Sequence, residues 1–173
     1  MNFFEYPLLQ LNEFERVKDC LSDNKSCQVT GCADSQLAHF ICGLSDGYKQ
    51  KVIVTFSATK AKELYEDLKG FTKDVVMYPS KDVIFFSADV HGSYILQQRL
   101  EFIEKLVEDK PFTVIVTADA FLDKILPLEK IKENYIEIEE GATIEMEALK
   151  SKLSSMGYES VNQIDSPGQY AVR

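Results

Sequence analysis

The chain has 173 residues, 45 % of them hydrophobic and 27 % charged, enough for one globular domain or for one and part of a second. Its 28 acidic against 19 basic residues give a net charge of −9, and the lysines are scattered among Glu and Asp. That balance argues against a non-specific hold on DNA or RNA, which needs clustered Lys and Arg to displace counterions, and it points to a protein or small-molecule partner.

The N-terminal stretch MNFFEYPLLQLNEF lacks a basic n-region and a long apolar core, so no signal peptide is expected. No apolar run is long enough for a membrane span, and a cytoplasmic location is expected. The four cysteines, Cys20, Cys27, Cys32 and Cys42, form no C-x-x-C pair and are expected as free thiols. A zinc site of Cys27, Cys32, His39 and Cys42 has the helical spacing of His39 and Cys42 in its favour, but the other spacings match no zinc knuckle, and no metal is expected.

Short β-branched runs predict strands at Cys27–Thr30, Val52–Phe56, Val75–Tyr78 and Phe112–Thr117. The second and fourth are nearly continuous apolar runs, as in strands buried on both faces of a parallel sheet. Helical patterns alternate with them. Leu37, Phe40, Ile41 and Leu44 follow a cap at Asp34 or Ser35; Ala61, Leu64, Tyr65 and Leu68 make one stripe ending near Gly70. A third helix starts near Ser93 with Ile95, Leu96, Leu100, Ile103, Leu106 and Val107 as its apolar set, and a short one spans Asp119–Ile125. Strand and helix in alternation predict an α/β fold, a parallel sheet flanked by helices, with ligands at the strand carboxyl ends near Gly31, Ser57, Pro79 and Asp119.

After Pro127 the pattern changes. Tyr135–Glu139 alternates strictly and predicts a strand with one wet face; Glu145–Met156 predicts a helix closed by Gly157. Two further strands, near Tyr158–Ile164 and Gln169–Arg173, are joined by the turn signal Asp165-Ser166-Pro167-Gly168. Residues 1–126 therefore read as one domain and 127–173 as the first part of a smaller α+β domain, expected to continue past Arg173.

The stretch VTGCADSQLAHF starts like a phosphate-binding loop. A G-x-x-x-x-G-K-[ST] loop beginning at Gly31 needs Gly at 36, Lys at 37 and Ser or Thr at 38, and the chain has Gln36, Leu37 and Ala38. Gln36 blocks the close backbone approach, Leu37 removes the cation, and Ala38 removes the Mg²⁺ ligand. Asp34 adds negative charge where phosphates would sit. A plain strand–turn–helix connection is the expectation, with no cofactor. His91 with Asp89 could be a base and its orienting acid, but no nucleophile motif accompanies them, and His91 reads as a solvated loop residue ahead of a helix. Asp119 reads as a helix cap. The aromatics of Asp82–Asp89 (DVIFFSAD) read as packing over the sheet edge in preference to a contact surface.

In this order, VTGCADSQLAHF, VIVTFSATKAKELYEDLKGF, VVMYPSKDVIFF and QQRLEFIEKLVEDKPFTVIVTADAFLDKILP resemble the N-terminus of the bacterial transcription-repair coupling factors (Mfd), a module similar to the excision-repair helicase UvrB. The ending LKSKLSSMGYESVNQIDSPGQYAVR resembles the family's M-G-Y-x-x-V and S-P-G-x-[YF]-x-x-R elements. The resemblance implies a UvrB-like domain with a degenerate P-loop (Gly31, Gln36, Leu37, Ala38), since UvrB keeps G-K-[ST] there. It implies a UvrA-binding insertion from about residue 127, with Arg173 as a UvrA contact and the C-terminal domain of the same protein masking that surface at rest. ATP, Mg²⁺, DNA and RNA polymerase would be handled by other domains of the full-length translocase. The alternative is a nucleotide- or small-molecule-binding α/β domain of a helicase-like enzyme.

Overall fold

The computed structural model of the chain describes residues 6–44, 47–80, 90–166 and 168–172. It divides into two compact units, Met1–Ile125 and Leu126–Arg173.

The first unit is α/β. Strands β1 (Gln50–Thr55), β2 (Val75–Tyr78) and β3 (Phe112–Thr117) form a parallel sheet in the order β1-β3-β2. Val52 pairs with Val114 and Val76 with Val114, so β3 is central. Alternation of side chains across the pleat creates two cores. On one face Val75 and Ile115 pack with Ala38 of helix α2 (Asp34–Leu44) and Ala61, Leu64 and Leu68 of helix α3 (Ala58–Lys69). On the other, Val76, Tyr78, Phe112, Val114 and Val116 pack with Ala120 of α5 (Ala118–Phe121) and with Phe102 and Leu106 of α4 (Val90–Glu108).

Local signals explain α3. Ser57 accepts a hydrogen bond from Lys60 N at 3.2 Å as the N-cap, Ala61, Leu64 and Leu68 of the expected stripe are buried with Tyr65 half-buried beside them, and Gly70 stands at the C-cap. Helix α1 (Asn12–Ser22), absent from the sequence reading, is anchored by Phe14, which is fully buried and meets Phe40 of α2 edge-on at 5.5 Å.

Several expectations need correction. Cys27–Thr30 is not a strand: every residue of that run is exposed, and no strand edge among the described residues pairs with it. β-propensity without a partner leaves backbone groups to water. Strand β3 is buried throughout, but β1 is not buried on both faces, since Val52 is 56 % and Val54 50 % exposed. Among the described residues β1 pairs only with β3, α4 packs on β2, and only the short α5 reaches β1 on that side, so Val52 and Val54 stay half exposed. Helix α4 starts at Val90, which puts His91 inside the helix and not in a loop. Its buried face runs through Ile95, Gln98, Arg99, Phe102 and Leu106, while Leu96 and Leu100 are each 58 % exposed. Asp89, the 82–89 segment and the side chain of His91 lie outside the described residues.

The second unit comprises α6 (Leu128–Glu133), α7 (Met146–Ser155) and two short strands, β4 (Glu159–Ser160) and β5 (Gln169–Tyr170). Tyr135–Glu139 pairs with no strand among the described residues and is not a strand; Tyr135 N donates to Lys132 O and Tyr135 O accepts from Lys152 Nζ instead. Helix α7 closes at Gly157, whose φ of +92° is in the region that side chains resist. Strands β4 and β5 are much shorter than expected and pair in parallel, with Glu159 N donating to Gly168 O and Val161 N to Tyr170 O, each at 2.9 Å.

Candidate functional site at the strand carboxyl ends

The stretch 30–38 runs from a loop into the first turn of α2. Gly31 takes a φ of +82°, a backbone conformation that favours glycine, so the chain turns sharply there. Its surroundings are not those of a phosphate-binding loop. Gln36 N, a donor that a phosphate cradle would turn outward, donates to Ala33 O at 2.9 Å. Ala38 is 1 % exposed within the first core, and Leu37 packs against the same cluster. The position of a metal-binding hydroxyl is thus an interior methyl group. Asp34 makes an ion pair with Lys60 at 3.1 Å, holding the loop to the first turn of α3. That carboxylate raises the Lys60 pKa above its ordinary value by hydrogen bonding.

A hollow of about 370 Å³ opens at the carboxyl ends of the strands. Phe56, Ser57, Pro79, Ser80, Thr117 and Asp119 are among its lining residues, with Met77 and Ile115 among the apolar ones. The structure therefore brings together Ser57, Pro79 and Asp119, as the parallel-sheet rule predicts. Gly31, expected with them, is not among the lining residues. Asp119 is not the cap expected of it: Thr117 holds the N-cap position, and Asp119 sits in the first turn of α5. Its carboxyl is held below the usual carboxylate range by the hydroxyls of Thr117 and then Ser80, with α5 amide groups helping. Thr117 Oγ1 is buried, and among the described residues it makes no contact of good hydrogen-bond geometry, so its influence on Asp119 comes through a poorly aligned contact.

One clamp was not read in the sequence. The Arg99 guanidinium stacks over the Tyr78 ring at 4.0 Å, donates to Pro79 O at 2.7 Å and to the Tyr78 hydroxyl, and pairs with Asp123 Oδ2 at 2.9 Å. Asp123 Oδ2 forms an ion pair here without a well-aligned hydrogen bond. The clamp fixes the end of β2 beside the hollow. Its sequence signal was the helical spacing of Arg99 between Ile95 and Phe102.

Among the described residues no group of three or more His, Cys, Asp or Glu could hold a metal ion. Of the zinc candidates, His39 stacks flat on Phe71 at 5.4 Å, Cys27 and Cys32 are exposed, and Cys42 is half-buried. No helix of the described residues is long and apolar enough to cross a membrane. In the second unit, Gln169 Oε1 accepts from Asp165 N and Ser166 N at 3.0 and 3.2 Å, and the hydroxyls of Tyr170 and Ser154 meet at 2.9 Å. These bonds fix the turn before β5 and tie β5 to α7. Arg173 and Pro167 lie outside the described residues.

No protein-family model matches the chain. The sequence is 25 % identical to the transcription-repair-coupling factor of Bacillus subtilis over 148 residues, 84 % of this chain and 13 % of that protein. It is 23 % identical to the protein of the same name from Staphylococcus epidermidis over 166 residues, 94 % of this chain and 14 % of that protein. A similar match, 24 % identical over 148 residues, relates it to the transcription-repair-coupling factor of Escherichia coli. The chain spans 13–14 % of the length of these curated relatives.

Proposed function

We infer that this chain is a piece of a transcription-repair-coupling factor and acts there as a non-catalytic module that recruits the excision-repair protein UvrA to RNA polymerase stalled at damage. The observation that carries this reading is similarity to proteins of that name over 84–94 % of the chain. The buried Ala38, the inward Leu37 and the Asp34–Lys60 pair support a loop that serves packing in place of nucleotide. On this reading the degenerate loop binds neither ATP nor Mg²⁺; the motor, DNA and polymerase functions belong to other parts of the longer protein, a helicase-like translocase.

The partner surface is assigned to residues 127–173, where Ile138, Ile144, Met146, Ile164 and Val172 are exposed apolar side chains. Arg173 is the proposed anchor, because a guanidinium can hold a carboxylate with two parallel hydrogen bonds. The C-terminal domain of the longer protein masks this surface at rest.

The test is retention of UvrA by a version of the chain extended into the sequence that follows in the longer protein. Arg173→Ala should weaken binding by about 1–3 kcal/mol with an unchanged unfolding midpoint. Failure to retain UvrA, or equal binding by the variant, refutes the assignment. A second reading, a small-molecule-binding α/β domain, has the hollow beside Ser57, Ser80 and Asp119 in its favour. It requires saturable binding of a defined ligand that Asp119→Ala abolishes.

A further inference from the structure

Two thiols outside the loop and the hollow are brought together by the turn that ends α1. The helix stops with Asn24 at a φ of +56°, a left-handed conformation that Asn tolerates better than most residues. Asn24 N then donates to Leu21 O and Lys25 N to Cys20 O, each at 2.9 Å, which folds the chain back over the last turn. The return places the backbone of residues 25 and 26 against the Cys20 side chain. Its thiol contacts Lys25 O at 3.8 Å and Ser26 O at 3.6 Å. The second of these oxygens belongs to the peptide bond that joins Ser26 to Cys27, so the Cys20 sulfur touches the backbone beside Cys27, and the Cys27 thiol lies close enough to act on it. Both residues are free thiols, Cys27 exposed and Cys20 half-buried.

We propose that Cys20 and Cys27 form a dithiol that low-molecular-weight disulfides oxidise to an intramolecular disulfide, a redox clasp linking the end of α1 to the segment that leads to Gly31. This goes beyond the recruitment reading and is independent of it. The exposed Cys27 thiolate attacks one sulfur of the small disulfide, whose S–S bond breaks and releases one small thiolate. Cys20 then attacks the Cys27 sulfur of the mixed disulfide and expels the second thiolate. Two protein thiols are oxidised, one small disulfide is reduced to two thiols, and the two protons move from the protein thiols to the released thiolates. The order of attack follows from accessibility, and it agrees with the electrostatics: partial burial and the neighbouring Cys27 raise the Cys20 pKa, with Lys25 opposing them. Cys20 therefore resolves and does not initiate.

The unfolded chain would choose differently. Cys27 and Cys32 enclose a shorter loop than Cys20 and Cys27, so loop-closure entropy alone gives Cys20 no advantage. Selective pairing of Cys20 with Cys27 is thus a property of the folded turn.

The experiment treats the folded protein with oxidised glutathione, quenches with an alkylating reagent and maps linkages by peptide mass spectrometry. The expected product has a Cys20–Cys27 disulfide, no retained glutathione, and alkylated Cys32 and Cys42. Cys20→Ser should trap glutathione on Cys27 as a stable mixed disulfide. The same treatment in urea should lose the selectivity for Cys20–Cys27. A wild-type product that keeps glutathione on Cys27, that links Cys27 to Cys32, or that shows no thiol loss overturns the proposal. So does equal Cys20–Cys27 selectivity in the folded and the urea-unfolded chain.

Discussion

Replacing Arg99 by Ala removes a cation that three elements share. The side chain is 11 % exposed; it stacks at 4.0 Å on Tyr78 of β2, bonds Pro79 O at 2.7 Å, and pairs at 2.9 Å with Asp123 beyond α5. A hydrogen bond from a charged donor contributes about 1.5–3 kcal/mol and a partly desolvated cation on an aromatic face about 0.5–2 kcal/mol. Removing one member of a fully buried ion pair would cost about 3–5 kcal/mol, but Asp123 is 28 % exposed and water can reach its carboxylate. Discounting for that water, the expected loss is about 2–3 kcal/mol. Arg99→Lys keeps the charge but loses the planar stack and the fork, and should lose about half as much. Urea unfolding followed by tyrosine near-ultraviolet dichroism measures the change, and exchange of the β3 amides reports the first unit specifically. A loss below about 0.5 kcal/mol for Arg99→Ala, or a Lys variant as stable as wild type, would show that the clamp is incidental.

Restoring phosphate-loop residues with Gln36→Gly, Leu37→Lys and Ala38→Ser together should lose about 2–4 kcal/mol, from a helix glycine and polar groups forced into the first core. Calorimetry should show no micromolar Mg-ATP binding by that variant; micromolar affinity would mean the loop still has a phosphate cradle. Thr117→Val should raise the Asp119 pKa toward its ordinary value of 3.8, as read by carboxyl NMR titration. Because the folded value is depressed, Asp119 contributes stability above its unfolded pKa, and the contribution is lost as pH falls through the folded one. Burial raises the Tyr78 pKa above its ordinary value of 10.0, with Arg99 opposing, so the first unit should lose stability as pH rises through that raised value. Gly157→Ala should destabilise the second unit by about 1 kcal/mol, measured by exchange of α7 amides, because its φ of +92° suits only glycine.

Features that depend on neighbours along the chain were legible in the sequence. Strands β2 and β3 occupy the residues that the β-branched runs marked, and the Ala61–Leu64–Leu68 stripe of α3 is buried between Ser57 and Gly70. The missing Gly, Lys and Ser or Thr of the loop are visible without any coordinates. Strand pairing was not legible, because a ladder needs a partner edge from a distant segment. Cys27–Thr30 and Tyr135–Glu139 have strand-like patterns but pair with no strand among the described residues, while Val52 and Val54 read as interior and are half exposed on β1. The face of α4 was decided by Tyr78 and Asp123, which give Arg99 a ring and a carboxylate that make its burial favourable. The return of residues 25 and 26 past the Cys20 thiol was decided by one left-handed residue, Asn24, whose backbone angle sends the chain back along the helix it has just left.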